Sequence, residues 1–323
     1  MTTSRAAAPH PTIDDLEALR GPLTGYCYRM LGSAADTDDA VQESIIRAHG
    51  ALDRYDSSRA QLTTWVHRIA TNVCLDLLSS AQRRWLSIDL GPARSGPAEL
   101  GEPFSPDRFV EPMPDARLIT AVDPAAIVEQ RESVRLAFVA ALQALAPRQR
   151  AVLVLRDVLQ FSAQETADVL DASVAAVNSA LQRARATLSA NRPAAGDVLR
   201  PDDTEQRELL DRYVAAFEAH DIPTLRTLLR DDAMSSMPPF AWWLDGADAV
   251  AAVMASSDAC VGDKLLPVAM NGSPGFGQYR LEDGVHRPFA LLLIETAGDH
   301  IVHLTTFLET ASRFSEFGLP KQL

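Results

Sequence analysis

The amino-acid sequence predicts two all-α domains followed by an α+β domain. Three observations carry this prediction. Apolar residues recur at three- and four-residue spacing over residues 12–84 and again over 131–190, as they do in amphipathic helices. The residues between, 85–130, are rich in Pro and Gly, which is typical of a linker. In the last part, over 204–318, helical patterns give way to four strand-like runs separated by turn sequences. These segments are called below the first helical domain, the second helical domain, the linker and the C-terminal domain.

Composition narrows the class of protein. The chain has 323 residues, is 47% hydrophobic and carries a formal net charge of −13. It contains no apolar run near the ~18 residues of a membrane helix and no N-terminal signal-peptide pattern. We therefore expect a cytoplasmic protein without a membrane partner. Three widely spaced cysteines argue against a disulfide framework. His300 and His303 approach ligand spacing, but residues three apart on a strand point to opposite faces, so we expect neither a metal site nor a cofactor.

The negative charge is unevenly distributed. Residues 191–323 carry a net charge of −9 and residues 85–132 one of −5, whereas residues 133–190 carry +2. From Ala172 to Gly196 the chain has three arginines and no acid. A negative overall charge disfavours non-specific nucleic-acid binding, so this acid-free stretch suggests a surface for one particular polyanion. A solvated helix face is the alternative that charge alone leaves open.

The first helical domain contains three predicted helices. Leu16, Leu19 and Leu23 begin an apolar stripe that runs from Thr12 to Leu31. A second helix, Asp36–Leu52, has acids in its first turn, where they favour a helix N-terminus. After a polar loop, a third helix spans Thr63–Arg84.

The second helical domain ends in a predicted helix-turn-helix. A helix over 127–145 is followed by Pro147, which suits a helix first turn. Ser162 and Glu165 form an S-x-x-E capping box at the start of a short helix. A tight polar break then precedes a longer helix over about 173–189. The second helix of such a motif enters the DNA major groove, where phosphates repel carboxylates, and this accounts for the missing acids.

The C-terminal domain reads as two or three helices leading into a curved antiparallel sheet. Its strand-like runs lie at 265–270, 276–281, 288–296 and 301–308, separated by turns such as "NGSPG". One linker segment, "RFVEPMPD" (Arg108–Asp115), is too apolar for a solvated spacer, and we expect it to dock.

The order of these motifs resembles that of extracytoplasmic-function (ECF) sigma factors, the small members of the sigma-70 family. "DTDDAVQESIIRAH" is similar to the family's acidic D-x-x-Q-E helix, which docks on the β′ clamp helices of RNA polymerase. The resemblance implies that core RNA polymerase, through the β′ clamp helices and the β flap, and promoter DNA are partners. It assigns the β′ contact to four residues: Asp38, Asp39, Gln42 and Glu43. A solvated acidic helix start is the alternative.

The third helix looks like the family's W-x-x-x-I-A-x-N-x-x-x-D helix, which melts and reads the −10 promoter element. The resemblance implies DNA contacts by Trp65, Arg68, Asn72, Arg83 and Arg84. The loop Tyr55–Leu62 would help to hold a flipped base, since an aromatic ring beside arginines can stack on an unpaired base. A purely structural role for Trp65 remains open. Ser79 stands where the family usually has arginine, which weakens the expected DNA affinity.

The helix-turn-helix resembles the family's −35 reader. Its DNA-facing positions are Asn178, Ser179, Gln182, Arg183 and Arg185. Asn178 replaces a residue that is usually Lys or Arg, and an Asn there could read adenine edges. Asp171 stands where the turn often has Gly, and we interpret it as a cap of the second helix.

The C-terminal domain resembles the SnoaL-like, NTF2-like cone fold in "LLDRYVAAFEAHDIPTLRTLL", "NGSPGFGQYR" and "FSEFGLP". The full expected fold is therefore all-α sigma domains followed by an α+β cone. In ECF factors with this extension, a Pro-rich linker motif similar to "RFVEPMPD" occurs, and the extension modulates the factor. A candidate pocket for a small-molecule ligand is lined by Trp242, Trp243, Phe276, Tyr279 and Phe289, which are otherwise core residues.

The resemblance thus implies a transcription initiation factor without catalytic residues. Two alternatives stay open. A free-standing DNA-binding regulator would use the helix-turn-helix alone. A small-molecule enzyme would use the C-terminal domain, with Asp245 and His286 as candidate acid–base groups.

Overall fold

The computed structural model describes residues 11–80, 84–94, 100–190 and 197–323. The chain forms two compact units, each built from two segments. Unit 1 contains Met1–Gln82 and Leu142–Asn191, and unit 2 contains Arg83–Ala141 and Arg192–Leu323. The first helical domain and residues 142–190 of the second therefore pack together in unit 1, whereas the linker and residues 131–141 belong with the C-terminal domain.

The first helical domain is a bundle whose helices end where the sequence places capping residues. Its helices are α1 (Ile13–Glu17), α2 (Arg20–Leu31), α3 (Ala34–Gly50) and α4 (Leu62–Ser80). The single helix predicted over 12–31 is interrupted before Arg20. Gly32 ends α2 in the left-handed conformation, at φ 68°, and the Ser33 hydroxyl then caps α3 by accepting from the Asp36 amide at 3.2 Å.

Six α-helices lie in the described residues of the linker and the second helical domain. They are α5 (Asp115–Leu118), α6 (Pro124–Val134), α7 (Leu136–Gln143), α8 (Pro147–Leu153), α9 (Ala163–Leu170) and α10 (Val174–Ala190). The one helix predicted over 127–145 is broken at Arg135, whose backbone is extended with ψ 141°. After α8 the chain widens into a π-helical turn, Val154–Val158. The capping box of Ser162 and Glu165 is confirmed at the start of α9.

The C-terminal domain packs three helices on one face of a six-stranded sheet. The helices are α11 (Thr204–Glu218), α12 (Ile222–Leu228) and α13 (Ala247–Ala255). The strands are β1 (Leu229–Ser236), β2 (Trp243–Asp245), β3 (Lys264–Met270), β4 (Ser273–Glu282), β5 (Val285–Ala297) and β6 (His300–Phe307). They lie in the order β2-β1-β6-β5-β4-β3. This α+β architecture after helical domains confirms the expected fold class.

The sheet differs from the expectation in two respects. It has six strands where four strand-like runs were predicted, because neither β1 nor β2 was recognised as a strand. The pairing also differs. We predicted an antiparallel sheet, but β1 pairs parallel to β6, with Ser236 opposite Thr305. The sequence of β1, "LRDDAMSS", has few branched apolar residues and does not read as a strand. Its register is set by the β6 ladder and by burial of Ala233 in the core.

The two faces of the sheet have different coverings. Leu292 and Ile294 of β5 point into the core beneath α11 and α12. The alternate residues Leu291, Leu293 and Glu295 therefore face the other way, yet they are also buried. Both faces of this strand are thus covered, which explains its nearly continuous apolar sequence.

Candidate nucleic-acid interface

Helix α3 presents the predicted polymerase-binding residues on its exposed side. Asp38, Asp39 and Gln42 are exposed, and Glu43 is half-buried with its carboxylate accepting from Arg47 Nε at 2.6 Å. The opposite side of the helix packs in the bundle. Ile46 lies one turn beyond Gln42 with 56% of its surface exposed. Sequence analysis missed this apolar member of the face, although its i,i+4 spacing from Gln42 was visible.

Helix α4 places three predicted DNA-contacting side chains along one face. Trp65 is half-buried, while Arg68 and Asn72 are exposed at the next two turns. The Trp65 ring packs at a tilt against Tyr55, with centroids 5.2 Å apart. The Tyr55 hydroxyl donates to the Ala60 carbonyl at 3.0 Å, which fixes the loop before the helix. Trp65 is therefore partly core and partly exposed, between the two roles considered from sequence.

A groove of about 690 Å³ opens beside Trp65 within unit 1. Three arginines line it: Arg54, Arg59 and Arg68. None of these guanidinium groups has a hydrogen-bond or ion-pair partner among the described residues. A groove that combines unpaired cations with two aromatic rings suits an unpaired nucleotide, because the ring takes the base and the cations take the phosphates.

The opposite wall of this groove belongs to the helix-turn-helix. Asp168 at the end of α9, and Asp171 and Ser173 in the turn, line the same space. These two carboxylates bring negative charge to the mouth of a cationic groove. The two carboxylates therefore oppose the binding of a polyanion at this wall of the groove.

The turn between α9 and α10 corrects one interpretation. Asp171 does not cap the second helix. It ends α9 in the left-handed conformation at φ 51°, the role that glycine has in the family pattern. The cap of α10 is Ser173, whose hydroxyl accepts from the Ala176 amide at 3.2 Å.

Helix α10 buries one stripe and exposes the other. Val177, Leu181 and Ala184 are buried. The five predicted DNA-facing residues, Asn178, Ser179, Gln182, Arg183 and Arg185, are all exposed.

Both arginines of α10 have intramolecular partners. Arg185 makes a bidentate ion pair with Asp157 in the π-helical turn, at 2.9 and 2.7 Å, and this hydrogen bonding raises the pKa of Arg185. Arg183 donates to the Ser179 hydroxyl at 2.6 Å.

The two remaining predicted DNA contacts are Arg83 and Arg84. Arg83 falls outside the described residues. Arg84 belongs to unit 2, where it is 7% exposed and donates to the Phe109 carbonyl at 3.1 Å. In this arrangement its guanidinium is covered by the linker rather than available to a phosphate.

The apolar linker segment docks on the C-terminal domain as expected. Phe109, Val110 and Met113 are each at most 3% exposed. The docking partner is the tip of the β3–β4 hairpin. The Asn271 side chain accepts from the Met113 amide at 2.8 Å and donates to the Val134 carbonyl at 2.9 Å.

Asp115 adds a buried carboxylate to this contact between the linker and the β3–β4 hairpin. Its Oδ1 accepts from the Gly272 amide at 2.7 Å, and Arg131 lies 3.7 Å from its Oδ2. Burial raises the pKa of Asp115 to about 6, in spite of the opposing hydrogen bond from Gly272 and charge of Arg131.

A buried polar chain fixes the start of the second helical domain. Arg135, in the break between α6 and α7, donates to Glu295 of β5 at 2.5 Å. Glu295 lies 3.4 Å from His303 Nδ1, and His303 Nε2 lies 3.0 Å from the Ser236 hydroxyl. Burial raises the pKa of Glu295, but His303 and Arg135 outweigh it and lower the pKa to about 2.

The chain segment that follows the second helical domain is held at the neighbouring position of β5. The Asp197 amide donates to the Thr296 carbonyl at 2.5 Å, and its carboxylate accepts from the Gly298 amide at 2.8 Å. The Leu199 amide donates to Gly272 in the hairpin tip at 2.8 Å. Both segments that flank the second helical domain are therefore anchored on the C-terminal domain.

The aromatic residues predicted to line a pocket are not gathered in one place. Trp242 and Phe276 share the core beneath the helices. Tyr279 packs edge-on against Phe314 instead, and its hydroxyl donates to the Pro320 carbonyl at 2.8 Å. Trp243 donates to the Gly91 carbonyl at 2.8 Å, and Arg280 covers the ring of Phe289 at 3.5 Å.

The two candidate acid–base groups are also far apart in the sheet. Asp245 is exposed on the edge strand β2, three strands away from β5, which carries His286. His286 Nε2 lies 2.9 Å from the Gly262 carbonyl. Within the described ranges, no helix is long and apolar enough to cross a membrane.

An exposed acidic helix, an aromatic and cationic groove and a helix-turn-helix are the features expected of a protein of the sigma-70 type. Family models agree: sigma-70 region 2 matches residues 16–84 and sigma-70 region 4 matches residues 135–188. The chain is 45% identical over 312 residues to the ECF RNA polymerase sigma factor SigG of Mycobacterium tuberculosis, covering 95% of this chain and 83% of that protein. The chain belongs to the ECF RNA polymerase sigma factors.

Two further comparisons extend the likeness to the C-terminal part. The ECF RNA polymerase sigma factor SigJ of Mycobacterium tuberculosis is 32% identical over 222 residues, which is 68% of this chain and 62% of that protein. A crystal structure of the SigJ sigma factor from Mycobacterium tuberculosis covers 96% of this chain and all of its own, with a TM-score of 0.61 and 24% identity. The order of helical domains followed by a sheet domain is thus a shared fold.

Proposed function

We propose that this sigma factor recruits core RNA polymerase through the exposed face of α3, and melts and reads the −10 element with α4. In this proposal α10 reads the −35 element, and the C-terminal domain restrains the second helical domain. The proposal assigns no catalytic step to the chain. The observation that carries it is the groove beside Trp65, where unpaired arginines and aromatic rings meet within the sigma-70 region 2 match.

The restraint follows from the anchored flanks. The chain enters the second helical domain at Arg135 and leaves it before Asp197, and both residues are bound to adjacent positions of β5. The helix-turn-helix also forms one wall of the groove beside Trp65 in unit 1. In this proposal, loading of DNA displaces the helix-turn-helix from the groove, and the anchored flanks shorten the length of chain that is free to allow the movement. Release of a flank should therefore raise promoter activity.

The test is in vitro transcription from a promoter library with core RNA polymerase and the full chain. Transcripts that depend on the protein are expected, and Trp65→Ala should reduce them on promoters that require melting. Glu295→Gln removes the charge that holds Arg135 and should increase transcript yield. The matched control is Glu282→Gln, which removes an exposed carboxylate of the same sheet.

Two results would contradict the proposal. Absence of core binding and of transcripts would refute the sigma function for this chain. An equal or lower yield with Glu295→Gln, in a protein that still binds core polymerase, would refute the restraint and leave the sigma function standing.

A further inference from the structure

The DNA-facing side of α10 is unusually poor in available cations. Its first two turns expose Ala175 and Ala176, followed by Asn178 and Ser179 and then Gln182 one turn later. In a helix-turn-helix, the N-terminal residues of the second helix contact base edges. The part of this helix that meets the bases therefore carries only small apolar and uncharged polar groups up to Gln182.

The two arginines that follow, Arg183 and Arg185, both have partners within the protein. Arg185 uses two of its N–H groups on the Asp157 carboxylate, so its planar fork is occupied. A guanine needs that fork for its O6 and N7 atoms. Arg183 begins the C-terminal half of the helix and is bonded to Ser179 at 2.6 Å. Its position suits a backbone phosphate, which carries no sequence information.

The two amides, in contrast, are available. Neither Asn178 nor Gln182 has a hydrogen-bond partner in the described part of the chain. They are four residues apart, so they lie on one face about 6 Å apart along the axis. This distance corresponds to about two base-pair steps at a rise of about 3.4 Å. An Asn or Gln side chain pairs in bidentate fashion with N6 and N7 of adenine.

The exposed alanines fit the same base pairs. The methyl group of thymine is the one apolar feature of the major groove, and alanine side chains pack against it. Ala175 and Ala176 lie one turn before Asn178 and Ser179 on the helix. Adenine-reading amides and methyl-contacting alanines are therefore neighbours on one surface.

We infer that α10 selects A·T base pairs in the −35 element, with Asn178 and Gln182 each reading an adenine. This inference rests on the proposed function, because it assigns the sequence class that the −35 reader takes. It departs from the family pattern, in which the cation at the position of Asn178 favours phosphate or guanine. The rival role for both amides is a contact with the phosphate backbone, which would leave the base sequence unread.

The experiment uses holoenzyme formed from core RNA polymerase and the full chain. A promoter library with a fixed −10 element and a randomised −35 element is transcribed, and the transcribed promoters are sequenced. The unmodified protein should enrich A·T pairs at two positions within about three base pairs. Each should be preferred about 5- to 150-fold over G·C, as expected for one bidentate contact.

Substitutions then assign each position to a side chain. Asn178→Arg should change the preference at one of the two positions from A·T to G·C, and Gln182→Arg should do so at the other. A change of preference cannot arise from misfolding, which only lowers yield. Ser189→Arg adds the same charge at an exposed site near the end of α10 and should leave both preferences unchanged.

The outcomes separate this inference from the function on which it rests. Enrichment of G·C at these positions, or an Asn178→Arg variant that raises yield equally on all sequences, would overturn the A·T assignment while the sigma function stands. Failure of the unmodified holoenzyme to transcribe any member of the library would overturn both.

Discussion

Replacement of Glu295 by Gln should lower the unfolding free energy of unit 2 by about 3 kcal/mol at neutral pH. The carboxylate is 8% exposed and contacts Arg135 at 2.5 Å and His303 at 3.4 Å. Its pKa of about 2 in the folded protein compares with 4.5 for the free side chain. This difference corresponds to about 3 kcal/mol of unfolding free energy at neutral pH. Loss of one partner from a buried ion pair costs a similar amount, about 3–5 kcal/mol.

The pH dependence has a definite sign. A carboxyl whose pKa falls on folding contributes its full stabilisation above the unfolded value of 4.5, and loses it as the pH falls through about 2. The difference between the unmodified protein and Glu295→Gln should therefore be constant from pH 7 to pH 5.5. It should shrink only in more acid solution.

Urea unfolding followed by tryptophan fluorescence measures this difference, since Trp242 and Trp243 lie in the same unit. Glu282→Gln is the control, because its ion pair with Arg287 is 54% exposed on both sides and should change stability by less than about 1 kcal/mol. A Glu295→Gln loss below about 1 kcal/mol at pH 7, or one that halves between pH 7 and pH 5.5, would refute the ion-pair account.

Three other substitutions test separate parts of the structure. Gly272→Ala should undock the linker, because Gly272 has φ +67° and a new Cβ would collide with the Arg131 backbone. Limited trypsin digestion should then cleave the linker faster. An unchanged cleavage rate would contradict the docking of the linker on the β3–β4 hairpin. Asp115→Asn should raise the unfolding free energy by up to about 3 kcal/mol at pH 7, because burial raises the pKa of Asp115 from 3.8 to about 6 and the buried charge is unfavourable above that pH. Equilibrium unfolding should show a gain that shrinks to about 1 kcal/mol at pH 4.5, and an equal gain at both pH values would contradict this account. Trp65→Ala should weaken binding of the holoenzyme to single-stranded −10 DNA by about 5- to 150-fold, because it removes a ring on which a base can stack. Fluorescence anisotropy measures this affinity. Undiminished binding would show that Trp65 has only a structural role.

The helical part of the fold could be predicted because its signals are local. Apolar spacing, the capping box at Ser162 and the proline at the start of α8 all act within a few residues. The docking of "RFVEPMPD" was also predictable, because apolar residues in a polar linker need a covering surface. Strand β1 was missed because its pairing with β6 depends on residues about 70 positions away, and its own composition is that of a turn.

The contacts that anchor the two flanks on β5 could not be predicted from short stretches of sequence. Arg135 and Glu295 are 160 positions apart, and each reads as a solvated charge in its own context. The available signal was that Glu295 directly follows "LLLI", a run that indicates a strand buried on both faces. The partner of Arg185 was hidden for a related reason. Asp157 lies in the π-helical turn that follows α8, and no short pattern in the sequence indicates such a turn.

The positions of the anchors limit how the C-terminal domain can act. Arg135 and Asp197 bind consecutive residues of β5, and the hairpin tip at Asn271 and Gly272 holds the backbone just before the first anchor and just after the second. The chain therefore leaves the sheet for the helix-turn-helix, and returns from it, at the same place on β5. We therefore expect a shift of β5 or of the hairpin to act on both flanks together.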